Sequence, residues 1–269
     1  MSSDREVVEA HYESEADTQG LSPSSTMPDE VVRTRETDAI QACLQHIAVG
    51  TSMNALEIGC GNGYLLDLIH RRFPAIRFWG IDYTQQMIRL ARSRRMETVG
   101  LLQGDVRALS FRDAFFDVVI SERVIINLLD PADQELAFSE VARVLKPSGW
   151  FICIEGFATP LANINAARAE LMLPEIRQPH HNRWFTDEDW SRYLDNRFAS
   201  ASPVSSAEGS PAPEPNFLST HYFVTRVVHD LLRPEGGAVR NTHFAKFFSS
   251  VLPNYGDYAP VKLHLLRRL

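Results

Sequence analysis

Between about residues 53 and 155 the chain alternates short apolar runs with helix-patterned runs, and few folds permit that order. NALEIG (54–59), IRFWGID (76–82), VGLLQGD (99–105), FDVVIS (116–121) and GWFICIEG (149–156) have the length and apolar content of buried strands. GYLLDLIHRRF, TQQMIRLARSRR and DPADQELAFSEVARVL between them carry helical spacing. The second of these opens on Thr84 at an N-cap position, and the third on Asp130 at the N-cap with Pro131 at the first helical position. Strands joined through helices are βαβ units, so an α/β fold with a parallel sheet covered on both faces is expected.

The flanks are less regular. Residues 1–30 are polar and broken by GLSPSSTMPDE, which predicts an irregular arm with one helical turn that packs on, or closes over, another part of the chain. From Pro28 to Ala48, Val32, Ile40, Cys43, Leu44 and Ile47 make one apolar helical stripe. After residue 156 a helix is expected over 161–172 and another in FTDEDWSRYLDNRF, with Thr186 and Asp189 in capping-box spacing. FASASPVSS suggests a sixth strand, the Pro/Ser-rich 202–216 a mobile loop, FLSTHYFVTRVVHDLL and THFAKFFSSVL two helices, and VKLHLLRRL a final strand. The organisation expected is a lid over 1–48, a core over 49–201, an insertion or cap over 202–259 and a last core strand over 260–269.

A hydrophobic content of 44% in 269 residues supports a full core. The net charge of −7, with Lys and Arg scattered, argues against nucleic acid as a partner. Cys43, Cys60 and Cys153 are odd in number and sit among apolar neighbours, which indicates buried thiols rather than a disulfide or metal site. The first residues lack an apolar signal core and no run approaches the roughly 18 apolar residues of a membrane span, so a cytoplasmic location is expected.

ALEIGCGNGYLL places Gly59, Gly61 and Gly63 at alternate positions after the first strand, where backbone N–H groups at a helix start meet a ligand. A dinucleotide fingerprint would need its third glycine at Tyr64, and a P-loop would need G-K-[ST], so both phosphate readings lose. What stands is E-x-G-x-G-x-G from Glu57 to Gly63. It resembles the first motif of the class I S-adenosylmethionine-dependent methyltransferases, and further matches follow in order. Asp82 ends the second strand, Gly104, Asp105 and Val106 follow the third, FDVVISERVIINL resembles the fourth-strand segment and EVARVLKPSGWFICIE the helix, turn and fifth strand, with Ser148 where a glycine is commoner.

The resemblance covers about residues 53–155. It implies a Rossmann-like, doubly wound seven-stranded sheet, mostly parallel with an antiparallel last strand, plus helical cap elements. It implies S-adenosylmethionine as cofactor, with Asp82 accepting from the ribose hydroxyls, Asp105 and Val106 meeting the adenine and Met87 packing on it. Glu57, Gly59, Cys60, Gly61, Gly63, Tyr83, Gly104 and Ser121 complete the expected cofactor set. A sulfonium with a zwitterionic tail suits Glu57, Asp82 and Asp105 better than a phosphate-bearing nucleotide does. The flanks bear a weaker likeness to bacterial members associated with sugars, surface polysaccharides and natural products.

Ligands in open α/β sheets bind beyond the carboxyl ends of the strands. Methyl transfer to a hydroxyl of a small molecule is expected there, assisted by a general base. His181, in PHHNRWF, is one candidate base, with a capped loop histidine as the alternative. Glu122 is another, against pairing with Arg123 or Arg143; Glu155 is a third, against holding a helix N-terminus. Tyr12, Arg123, Asn127, Asn163, Arg168, Asn182 and Tyr222 are candidate acceptor contacts, although the stripe around Tyr222 fits core packing. No metal site is expected, and a homodimer is left open. Competing readings are N- or C-methylation and a non-catalytic regulatory protein that binds the same cofactor. SERV stands where a proline-aromatic motif would mark amide or base nitrogen acceptors, which speaks against protein or RNA substrates.

Overall fold

The computed structural model describes residues 4–23, 25, 27–47, 52–201, 214–237 and 241–269. Two helices, α1 (Asp4–Gln19) and α2 (Glu30–Ile47), precede the alternating core: β1 (Met53–Ile58), α3 (Tyr64–Arg72), β2 (Ile76–Asp82), α4 (Gln85–Ser93), β3 (Gly100–Gln103) and β4 (Phe116–Glu122). A 3₁₀ turn (Ile125–Asn127), α5 (Pro131–Val144), β5 (Leu145–Gly156), α6 (Ala158–Glu170), α7 (Asp187–Leu194) and β6 (Phe198–Ser200) follow. The remaining elements are α8 (Ser219–Phe223), a π-helical stretch (Val224–Val228), α9 (His229–Leu232), α10 (His243–Val251) and β7 (Val261–Arg268).

The seven strands lie in the order β3-β2-β1-β4-β5-β7-β6. β1 to β5 pair in parallel, and β7 runs antiparallel between β5 and β6, as the resemblance implied. Chain order reverses between β1 and β4, which opens a crevice beyond the carboxyl ends of these two strands. Adjacent strand residues serve opposite faces. Ala55, Val118, Ile120 and Ile152 join one core layer with Ile40, Leu44 and Leu66; Leu56, Ile58, Val119 and Phe151 join the other with Phe138 and Tyr193.

The caps follow from the residues expected to make them. Asp130 accepts from the Ala132 amide at 2.8 Å ahead of Pro131, and Thr186 and Asp189 form a reciprocal capping box on α7. Thr84 occupies the N-cap of α4 but makes no side-chain cap bond, because its hydroxyl is spent on Asp82 at 2.9 Å. Ser148 takes a left-handed φ of 59°, which explains why glycine is commoner at that turn.

The N-terminal arm differs from expectation: it is a 16-residue helix, α1, not an irregular segment with one turn. Its sequence is rich in good helix formers, but one side faces a cavity rather than a core, so it lacks an apolar stripe. Of the loop expected over 202–216, residues 202–213 lie outside the described residues. All three cysteines are buried and unbonded. Among the described residues, no helix is long and apolar enough to cross a membrane.

Candidate functional site

A cavity of about 380 Å³ opens at the β1/β4 crevice. Its floor comes from the strand ends through Glu57, Gly59, Cys60, Gly61, Asp82, Tyr83, Gly104, Asp105, Val106 and Glu122. Its roof is α1, through Val8, Glu9 and Tyr12. Arg33 of α2 and Arg123, Val124, Asn127, Leu128 and Leu129 after β4 close one flank.

The three glycines meet three different needs. Gly59 has φ 61°, and a Cβ there would stand 2.4 Å from Val124 Cγ2. Gly61, at φ 51°, would place a Cβ in open space, so it leaves room at the cavity floor. Gly63 caps α3 and faces away, where a Cβ would meet Ala91 and Met96 at 3.0 Å. It is a packing residue and does not line the cavity, a correction to the expected cofactor set.

Asp82 ties the loop to β2: its Oδ2 accepts from the Gly61 amide at 2.8 Å, and Oδ1 from the Thr84 amide and hydroxyl, both at 2.9 Å. Burial raises its pKa, although those hydrogen bonds oppose the shift. Glu57 is 3% exposed, and its Oε2 is buried without a hydrogen-bond partner. Burial, then the nearby Glu122, pushes its carboxyl well above the usual range. An orphaned acidic oxygen at the cavity floor is costly unless a donor, best a cationic one, meets it. Asp105 is held by Arg107, which also pairs with Asp133 at 2.5 Å, so the far end of the cavity is bordered by a bridging guanidinium.

The acceptor-side candidates divide. Tyr12 is half-buried on α1 and hydrogen-bonds the Asn127 side chain; burial lifts its hydroxyl to about 12. Asn127 also accepts from Asn182 Nδ2 at 2.6 Å, so Tyr12, Asn127 and Asn182 form one chain from roof to flanking loop. Glu122 lines the cavity and pairs with Arg33 at 2.7 Å, while Arg123 pairs with Glu36 at 2.9 Å.

His181 does not line the cavity. It stacks on His11 of α1 with ring centroids 4.0 Å apart, and burial followed by His11 lowers its pKa to about 4. It fastens the roof, which corrects its expected role as base. Glu155 is fully buried and accepts from the Val124, Ile125 and Ile126 amides at 3.0 to 3.2 Å and from Ser121, so both residues anchor the 3₁₀ turn outside the cavity. Met87 is buried on α4 and does not reach the cavity. Three acceptor candidates also prove structural. Asn163 donates to the Asp257 carbonyl, Arg168 pairs with Asp230 at 2.8 Å, and Tyr222 packs in the core under Arg226.

Arg33, Asn62, Arg107 and Glu36 escaped sequence reasoning, and Thr84 was read only as a helix cap. Arg33 and Glu36 carried one signal: both are charged residues on the same helical stripe as Val32 and Ile40, and both are buried. Asn62 joins the roof to the glycine loop by donating to the Gly20 and Ser22 carbonyls at 2.9 and 3.0 Å.

The donor set fits S-adenosylmethionine: an unpartnered acidic oxygen and a second buried carboxylate suit its cationic groups, with no lysine among the lining residues. Residues 55–149 match a family model described as a methyltransferase domain. An uncharacterised protein of transposon TN4556 from Streptomyces fradiae is 32% identical over 155 residues, which are 54% of this chain and 44% of that protein. A demethylmenaquinone methyltransferase of Lactococcus lactis is 32% identical over 110 residues, 39% of this chain and 42% of that enzyme. The chain thus matches less than half the length of these curated relatives. In fold, it is similar to the chain solved in complex with the Haloferax volcanii Trm112 methyltransferase activator, at TM-score 0.56 and 16% identity over 97% of this chain and 96% of that one. It is also similar to the [4+2]-cyclase SpnF, at TM-score 0.51 and 21% identity over 88% and 80%. By its ordered motifs, its sheet and this match, the chain carries a methyltransferase domain over residues 55–149, on a fold like that of the class I S-adenosylmethionine-dependent enzymes it resembles.

Proposed function

We infer that the protein transfers a methyl group from S-adenosylmethionine to a small-molecule acceptor, most plainly a hydroxyl of a sugar-containing or natural-product compound. The observation that carries this reading is the roofed cavity, in which a buried orphan oxygen of Glu57 sits beside Asp82 and the glycine loop. The cofactor supplies an electrophilic methyl group on a sulfonium. In this reading Asp82, oriented by the Gly61 and Thr84 amides, accepts from ribose hydroxyls, and Glu57 from a cationic donor. Arg33, beside both Glu57 and Glu122, offers a guanidinium to an anionic tail.

On the roof side, Tyr12 and Asn127 present a phenol and an amide to an acceptor hydroxyl, and Glu122 presents a carboxylate. By roofing the cavity, α1 reduces its exposure to water, which strengthens each of these polar contacts. The lid role of α1 and α2 and the cap role of the segment before β7 are part of this proposal, as is a small molecule rather than nucleic acid as partner. Two relatives temper the choice of acceptor atom. One, the Lactococcus lactis enzyme, acts by name on demethylmenaquinone, so carbon acceptors belong in the same screen; the other, a cyclase on this fold, makes turnover itself the thing to test.

Isothermal titration with S-adenosylmethionine and S-adenosylhomocysteine tests the cofactor, with micromolar binding expected. A screen of hydroxyl, amine and quinone acceptors with labelled methyl donor tests the transfer. Binding without incorporation into any acceptor class would favour the regulatory reading.

A further inference from the structure

The outward face of α10 is apolar and open to water. Phe247, 59% exposed, and Val251, 55% exposed, stand one helical turn apart, and Phe248 and Leu252 make a second column beside them. Tyr255 extends the patch just past the helix at 75% exposure. Leu231 and Leu232 of α9 adjoin it, since His229 of α9 packs its ring 5.9 Å from that of Phe244 on α10. These are seven of the fourteen large apolar residues exposed among the described residues, so the uncovered apolar surface is concentrated on this one segment. Taking about 200 Å² as the open area of one such residue, they leave about 700 Å² in water. That exceeds the largest apolar patch usual on a monomer, roughly 300–600 Å², and approaches the ~800 Å² that one partner buries in a standard stable interface.

The face is held in shape from behind. Ala245 and Ser249 are buried on the inner side of α10, the Ser249 carbonyl accepts from Arg35 of α2 at 2.7 Å, and Lys246 pairs with Glu30 of α2 at 2.5 Å. A preformed face loses little side-chain and loop freedom on association. Charge narrows the choice of partner. An anionic lipid surface or an acidic protein would need free cations here, yet Lys246 of α10 and Arg233 after α9 are each paired with a carboxylate, Glu30 and Asp230. Two copies of this chain each carry a net charge of −7, so they meet at least cost where both faces are neutral.

We propose that α10, Tyr255 and α9 form the face through which two copies of this chain pair about a two-fold axis. Helix α10 then lies antiparallel to its twin, with Phe247 of one protomer against the partner's Val251 and the reverse contact repeated across the axis. The proposal stands independently of methyl transfer. None of these residues lines the cavity, so each copy keeps a complete site.

Sedimentation velocity of the full chain, run from nanomolar to micromolar protein, should show a monomer giving way to a dimer. The double variant F247E/V251E places its charges in the interface twice over, and should raise the dimer dissociation constant about 100-fold or more. Its circular dichroism spectrum should match that of the unaltered protein, because both positions are exposed in the single chain. Hydrogen exchange on the unaltered protein locates the face without any substitution: peptides covering 229–232 and 243–255 should gain protection as the protein is concentrated. A chain that stays monomeric throughout, a folded double variant that dimerises undiminished, or protection gained only elsewhere would overturn the proposal. Monomeric protein that instead floats with vesicles of phosphatidylcholine and phosphatidylglycerol would also overturn it, and would give the face to a lipid surface.

Discussion

Gly59 and Gly61 share a left-handed backbone, yet only one of them is crowded. Alanine at either position takes on the left-handed penalty of about 1 kcal/mol. Gly59→Ala also drives a methyl into Val124, whereas Gly61→Ala points a methyl into the cavity. Thermal melting should therefore drop further for Gly59→Ala, while titration with S-adenosylmethionine weakens for both. Equal melting temperatures would contradict the packing assigned to Gly59. Asp82→Asn keeps the size of the side chain but not its charge. It should raise the dissociation constant for S-adenosylmethionine about 10- to 100-fold, the worth of hydrogen bonds to a charged group, and lower the melting temperature, because an amide cannot accept from both the Gly61 and the Thr84 N–H.

At the scale of elements, α1 makes the cavity an enclosure. It is fastened by the His11–His181 stack, by the Tyr12–Asn127 hydrogen bond and by Asn62 on the link to α2. His181 has its pKa lowered to about 4 in the folded chain against 6.5 ordinarily. Between those values the unfolded or opened state binds the extra proton, so closure weakens as pH falls from about 6.5 towards 4. Stopped-flow release of S-adenosylmethionine should accelerate over that window and lose the dependence in His181→Gln.

The same element marks where sequence reasoning ran out. The sheet, the glycine loop and Asp82 were legible because strand periodicity and motif spacing are local properties. Helix α1 was not, since a helix roofing a cavity has no apolar stripe to betray it. His181, Glu155 and Arg168 were misplaced for a related reason. Their polarity suggested a ligand, but their partners come from residues distant in sequence: His11, the turn after β4 and Asp230. Glu36 was missed because its partner Arg123 is 87 positions away.

At the scale of the whole molecule, the segment before β7 is locked to α2 through a buried set of polar groups. Asp29 meets His221 at 3.4 Å and Arg226 at 3.2 Å, His221 meets Ser249 at 3.0 Å, and Arg35 donates to the Ser249 carbonyl. Asp29→Asn strips the charge from a fully buried partner of Arg226, and losses of this kind run to about 3–5 kcal/mol. A fall in melting temperature of roughly 6–20 °C follows for a chain of this size, read by calorimetry. Saturating S-adenosylmethionine at 100 times its dissociation constant should restore about 2.7 kcal/mol.

The placement of β7 bears on how the molecule is made. This strand is synthesised after both of its neighbours yet lies between them, paired with Phe151 and Cys153 on one side and Ala199 on the other. Until the ribosome has released it, the apolar edge of β5 stands bare, a ready template for foreign strands. Nascent chains arrested before Val261 should for that reason recruit chaperones or aggregate, and chains arrested on a flexible extension added after Leu269, long enough to bring β7 out of the ribosome, should not.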